Sequence, residues 1–217
     1  MSDWLYKIAS YASYLPILIA LYHYKYLDKS LWWYMAGLLA FNSFGIISMK
    51  LGDNHINNHF MTYVNACSIL ILRALFFYSF LTSKNYHKAI IISVIVYLSG
   101  VCIEIYVHGI YLNQYLSMVL DVWLTFFLLV SLNQILKDET IESLRNLPMF
   151  WIIIGTLIFV IFDFFVSVTN GWLYAVNRSF LFLLWDYIVP IFMFIRIIFV
   201  SIGYWKTKKY VENLVKT

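Results

Sequence analysis

The chain has 217 residues, 63% of them hydrophobic and only 12% charged, with a formal net charge of +4. Its mean hydropathy is +0.78. A soluble domain carries about 25% charged residues, so this composition excludes an ordinary soluble protein and predicts a polytopic membrane protein. The basic excess does not point to nucleic acid, because the Lys and Arg residues lie between and after apolar runs. Cys67 and Cys102 both fall within apolar runs and are too few for a disulfide framework or a zinc ribbon. No basic segment leads into a short apolar stretch with a cleavage site, so a cleaved signal peptide is not expected. The lean toward Ile, Phe, Tyr, Asn and Lys points to an AT-rich, bacterial genome.

A spanning helix needs about 20 mostly apolar residues. Seven such stretches follow one another, at about 5–24, 31–49, 57–82, 86–107, 114–136, 148–169 and 179–205. Lys25 to Lys29 ends the first, Lys50 to Asn54 the second, Ser83 to Asn85 the third and His108-Gly109 the fourth. The stretch from Lys137 to Arg145 is the most polar connection. Pro148 then opens the sixth helix, where its missing N–H costs little, and Asn170-Gly171 is read as its end. A short basic tail, 206–217, closes the sequence. The predicted fold is all-α, a bundle of seven transmembrane helices forming a single domain.

Basic residues give the direction. With the N-terminus outside, the inner segments hold Lys25, Lys29, Lys84, Lys88, Lys137, Arg145, Lys206, Lys208, Lys209 and Lys216, and the outer ones only Lys7, Lys50 and Arg178. The chain is therefore expected to run N-out and C-in, as a multi-pass protein of the bacterial cytoplasmic membrane. Trp32, Trp33, Trp151 and Trp205 fall at the inner interface and Trp4 and Trp172 at the outer one, which agrees.

Glu104, Asp121, Asp163 and Asp186 lie inside the apolar stretches, as do Arg73 and Arg196. A charge at the centre of a spanning helix costs about 2.5–3.5 kcal/mol on insertion scales. These groups must therefore face one another, a cavity or water. At 1.5 Å per residue, Asp121 and Asp186 are each about 10 Å from the outer end of their helices, and Asp163 is about 22 Å from its inner end. Glu104 is near the outer end of the fourth helix. The four acids are thus expected to share an outward-facing pocket, with Asn65 and Trp185 beside them and the arginines in the inner half. Clustered carboxylates repel when all are ionised, which is the physics of proton carriers and cation sites. Each arginine is expected either to hold an acid across the bundle or to snorkel to the inner interface.

His55 and His59 are four residues apart and share a face if the third helix begins early enough. With His108 and Glu104 they would suit a divalent transition metal. The last helix has no lysine between Arg178 and Lys206, so a retinal Schiff base is excluded, and it lacks the histidines of seven-helix zinc amidohydrolases. No nucleophile elbow, phosphate loop, haem motif or flavin fingerprint occurs.

Leu147-Pro148-Met149-Phe150-Trp151-Ile152-Ile153-Ile154-Gly155 follows a charged loop, Leu184-Trp185-Asp186-Tyr187-Ile188 comes later, and Gly203-Tyr204-Trp205 ends the last stretch. These segments resemble a group of uncharacterised bacterial seven-helix integral membrane proteins, often encoded near sensor kinases. The resemblance covers most of the chain. It implies sensing or signalling and carries over no site residues.

The first functional expectation is a sensory or receptor-like protein binding a small ligand, cation or proton, and signalling to a cytoplasmic partner. The 137–145 loop and the tail would form its inner surface. The second is a small proton- or cation-coupled transporter, against which stands the lack of a Gly- or Pro-interrupted helix pair. The third, a membrane-embedded hydrolase or lipid enzyme using two carboxylates as acid and base, has no motif behind it. No cofactor is expected apart from that metal, and no partner beyond the bilayer, the ligand or ion and the cytoplasmic protein.

Overall fold

A computed structural model of the chain describes residues 4–110, 114–138 and 143–214. Their regular structure is entirely helical. Among the described residues, seven helices are long and apolar enough to cross a membrane: Trp4–Tyr22, Lys29–Asp53, His59–Phe80, Lys84–His108, Tyr115–Lys137, Pro148–Val176 and Arg178–Asn213. The contacts divide the chain into two compact units, Asp28–Leu120 and the remainder.

The Asp28–Leu120 unit contains α3 (Lys29–Asp53), α4 (His59–Phe80), α5 (Lys84–His108) and the first residues of α6 (Gln114–Lys137). Asp28 caps α3, accepting from the Leu31 N–H at 2.8 Å and the Ser30 hydroxyl at 2.7 Å. Such a cap satisfies a helix-end donor that would otherwise be orphaned. At its other end the chain turns through His55, whose φ of 58° is left-handed. Asn58 ties the turn back, donating to the Ser48 carbonyl at 2.8 Å. The core of this unit is aromatic. Tyr34, Phe76 and Phe77 are fully buried, and Phe76 meets Tyr34 edge-on. Tyr97 donates to the Leu116 carbonyl at 3.1 Å, joining α5 to the start of α6.

The other unit contains α1 (Trp4–Ala12), α2 (Leu15–Tyr22), the rest of α6, α7 (Pro148–Val176), α8 (Arg178–Leu183), a π-helical turn at Leu184–Ile188 and α9 (Val189–Leu214). The helices α7 and α9 form its spine. Lipid tails are as apolar as leucine, so helices in a membrane associate by close packing, often over small residues. Here the small residues are Gly155 and Gly203. A Cβ on Gly155 would collide with the Phe199 side chain, and one on Gly203 would lie 2.6 Å from Ile152 Cγ1 and 2.9 Å from the Pro148 carbonyl oxygen. Further along, Phe162 and Phe192 stack with ring centres 3.8 Å apart. The two helices are therefore antiparallel, with 152 beside 203, 155 beside 199, 159 beside 196, 162 beside 192 and 170 beside 185.

Three boundaries differ from expectation. The first span is broken at Ser13-Tyr14, because Pro16 has no N–H for the carbonyl four residues back and its ring crowds that turn. The sixth runs through Asn170-Gly171 to Val176. An isolated glycine costs a helix only about 1 kcal/mol, and the Asn170 Oδ1 accepts from the Trp185 indole at 3.4 Å. The last span continues to Leu214, so Lys206, Lys208 and Lys209 belong to the helix rather than to a separate tail. Residues 139–142 of the loop after α6 and 215–217 of the tail lie outside those described.

Candidate functional site

The helix α7 builds one side of the site through simple periodicity. Phe159 and Asp163 are four residues apart and so share a face. On α9, Phe192 and Arg196 have the same spacing. The Phe162–Phe192 stack fixes the two helices at this level, and the Arg196 guanidinium comes to lie 4.1 Å from the centre of the Phe159 ring. One turn further on, the half-buried Asp163 carboxylate feels the charge of Arg196. Asp121 of α6 lies within Coulombic reach of Asp163, and Tyr6 of α1 within reach of both Asp163 and Arg196. Four helices thus bring two carboxylates, one guanidinium and one phenol together.

Burial makes the arrangement expensive. Asp121 is 6% exposed and Arg196 is 5% exposed. The Oδ2 of Asp121 is buried with no hydrogen-bond partner among the described residues. One guanidinium can balance one carboxylate. The second carboxylate then needs a proton or a cation, because an unbalanced buried charge costs several kcal/mol.

This geometry does not divide Asp163 and Arg196 into well-separated levels: the arginine lies one turn along from the acid, as expected of an arginine that holds an acid across the bundle. Asp163 and Arg196 are neighbours near the middle of their helices, and Arg196 is packed on a ring instead of snorkelling. Because α7 ends at Val176 and not at 169, Asp163 lies 13 residues from that end instead of six. Asp186 is not at the level of Asp163. It lies beside residues 169 and 170, about 10 Å further along α7 by helical rise, half-buried within the π-helical turn. Trp185, in the same turn, is 36% exposed and bonds Asn170.

The π turn and the break in α1–α2 were not anticipated. Single π turns recur at functional sites. Pro190 follows this one, and it cannot supply the N–H that the carbonyl of Asp186 would otherwise bond. The helices α1 and α2 pack against α9, and α1 also packs against the π turn. Both proline-interrupted spans therefore lie in the unit that holds the carboxylate pair.

No protein-family model, curated protein or solved structure matches this chain. The site is read from its own chemistry.

The remaining predicted residues belong to the Asp28–Leu120 unit. Glu104 is half-buried on α5, one turn before the exposed His108. Asn65 is half-buried on α4, and its Oδ1 is buried with no hydrogen-bond partner among the described residues. Arg73 is buried against the Tyr34 ring, 3.8 Å from its centre. His59 is the first residue of α4, so His55, exposed in the preceding turn, shares no helical face with it. Among the described residues, no three His, Cys, Asp or Glu side chains are grouped to hold a metal ion.

Sequence reading missed Tyr6, Phe159 and His23. The Phe159–Asp163 spacing was the available signal, an aromatic one turn from an intramembrane acid. His23, just beyond α2, is buried edge-on to Trp205 of α9 with ring centres 5.5 Å apart. Burial first, and the charge of Lys208 second, push its pKa below the ordinary imidazole value.

Proposed function

We propose that this chain is a sensory or receptor-like multi-pass protein of the bacterial cytoplasmic membrane, N-terminus outside, that binds a proton or a small monovalent cation at Asp121 and Asp163. The observation that carries the reading is the buried, unpartnered Oδ2 of Asp121 within Coulombic reach of a second carboxylate, with Arg196 as the counter-charge felt by that carboxylate. A proton or cation bound there changes the charge balance among α6, α7 and α9. Because α9 runs on through Lys206 to Leu214, occupancy is felt at the inner end of the same helix. A cytoplasmic partner would read that end together with the 137–145 loop.

Purified protein in neutral detergent tests this. Its thermal midpoint is expected to change with pH and with added Na⁺, K⁺ or Li⁺; in Asp121→Asn the cation response is expected to disappear and the pH response to weaken. A response that is identical in the variant would overturn the reading.

A second reading, coupled transport, is favoured by one observation. The first and last spans are both interrupted beside a proline, and both pack in the unit with the carboxylates. Discontinuous helices at an intramembrane ionic site are the usual architecture of secondary transporters. Liposomes separate the two readings. A transporter dissipates an imposed proton or Na⁺ gradient and Asp163→Asn does not, whereas a receptor leaves the gradient standing.

A further inference from the structure

The second buried arginine is not part of the carboxylate cluster, and it is half-solvated by protein in a telling way. Arg73 is 5% exposed, seven residues from the end of α4 and so about 10 Å inside it by helical rise. Its guanidinium lies over Tyr34, 3.8 Å from the ring centre. An aromatic face attracts the cation, but it accepts none of the N–H groups, which lie in the guanidinium plane and point outward from its edge. On that edge Nη1 is buried with no hydrogen-bond partner among the described residues. A guanidinium keeps its charge in proteins, so it cannot escape this cost by losing a proton.

Gly37, one turn after Tyr34 on α3, lies over the Nε–Cζ part of the same guanidinium. A Cβ there would sit 3.6 Å from Nε and 3.7 Å from Cζ. Alanine would fit in ordinary contact, and any longer side chain would reach over the guanidinium. One face of the arginine is thus covered by a ring, and its outer edge carries a buried donor with no acceptor among the described residues. That edge is the fork that matches two oxygens of a phosphate or carboxylate.

We propose that Arg73, with Tyr34 behind it and Gly37 beside it, is an oxyanion-binding site, taking the phosphate group of a soluble ligand or of an anionic lipid. The site stands independently of the Asp121–Asp163 pair. The bound oxyanion supplies the acceptor that Nη1 lacks and balances the buried charge.

The test uses the full chain in maltoside micelles at constant ionic strength. Its thermal midpoint is followed while inorganic phosphate replaces chloride, and separately while phosphatidylglycerol replaces phosphatidylcholine in mixed micelles. Stabilisation by inorganic phosphate assigns the site to a soluble ligand, and stabilisation by phosphatidylglycerol alone assigns it to a lipid headgroup. In either case the apparent affinity is expected to fall about tenfold or more in Arg73→Gln, equivalent to losing one charge-assisted hydrogen bond. Gly37→Leu keeps the arginine and crowds its Nε–Cζ side. It is expected to show the same loss, and it carries the comparison if Arg73→Gln does not fold. The proposal is overturned if neither anion stabilises the wild type, or if Gly37→Leu responds as the wild type does.

Discussion

The guanidinium of Arg196 rests on the Phe159 ring, 4.1 Å from its centre, one turn from the Asp163 carboxylate on the same face of α7. The ring holds the cation at the level of the acid. Breaking a buried ion pair by removing one partner costs about 3–5 kcal/mol, and the half-exposed position of Asp163 reduces that. Arg196→Gln is therefore expected to cost about 2–3 kcal/mol, read as a lower thermal midpoint. Adding Asp163→Asn should recover part of the loss, because it removes the stranded charge. A double-mutant cycle with a coupling of about 1 kcal/mol or more is the expected outcome. Strict additivity would mean that the two side chains do not interact.

Asp121→Asn should behave in the opposite way to Arg196→Gln. The amide has the same shape as the carboxylate and needs no counter-charge, so the substitution is expected to leave stability unchanged or raise it by about 1 kcal/mol. The measurement is thermal unfolding at neutral pH without added cation. A large loss of stability would show that the Asp121 charge is already balanced.

The glycines give a sharper packing test. Gly203→Ala places a methyl 2.9 Å from a backbone carbonyl oxygen and 2.6 Å from Ile152 Cγ1. Overpacking of this kind costs about 1–3 kcal/mol. Gly45 and Gly100 have nothing within 4 Å of the same position. Alanine at either is expected to be neutral, or to stabilise by up to about 1 kcal/mol through helix propensity. Comparing thermal midpoints of the three variants checks the α7–α9 crossing directly.

His23 predicts a pH dependence with a definite sign. The unfolded chain has the ordinary imidazole pKa of 6.5, and the folded value lies below it. Above 6.5 both states are neutral and His23 contributes nothing. As pH falls below 6.5, the unfolded chain binds a proton that the folded chain refuses, so stability decreases until the folded pKa is passed. His23→Phe is expected to flatten that decline between about pH 7 and pH 5. An identical slope in the variant would show that His23 is not the group responsible.

The seven spans were legible because their signals are strong and local. Long apolar runs stop at Lys25–Lys29 and Lys50–Asn54, and a proline at 148 opens a helix. What could not be read depended on partners from elsewhere in the chain. Asn170-Gly171 looks like a helix end until Trp185 supplies the amide with a hydrogen bond across to the last span. Once α7 runs to Val176, Asp163 lies two turns further from that end of its helix, and Asp186, expected at its level, is left about 10 Å beyond it. Asp121 and Asp163 were recognised as costly from charge alone. Tyr6 and Phe159 carry no charge, so nothing in an aromatic-rich chain set them apart. Pro16 and Pro190 were visible, but their effect, two interrupted spans packed together, is a property of the tertiary structure.

The central claim is that the Asp121–Asp163 pair holds a proton or a cation that Arg196 alone cannot replace. Infrared difference spectroscopy reads this directly, because a protonated carboxylic acid has a C=O stretch that a carboxylate lacks. In membranes without added cation, wild-type protein is expected to show a buried carboxylic acid band that responds to pH or to Na⁺ and is lost in Asp121→Asn or Asp163→Asn. A wild-type spectrum with no such band and no response to either, or a band unchanged in both variants, would contradict the account.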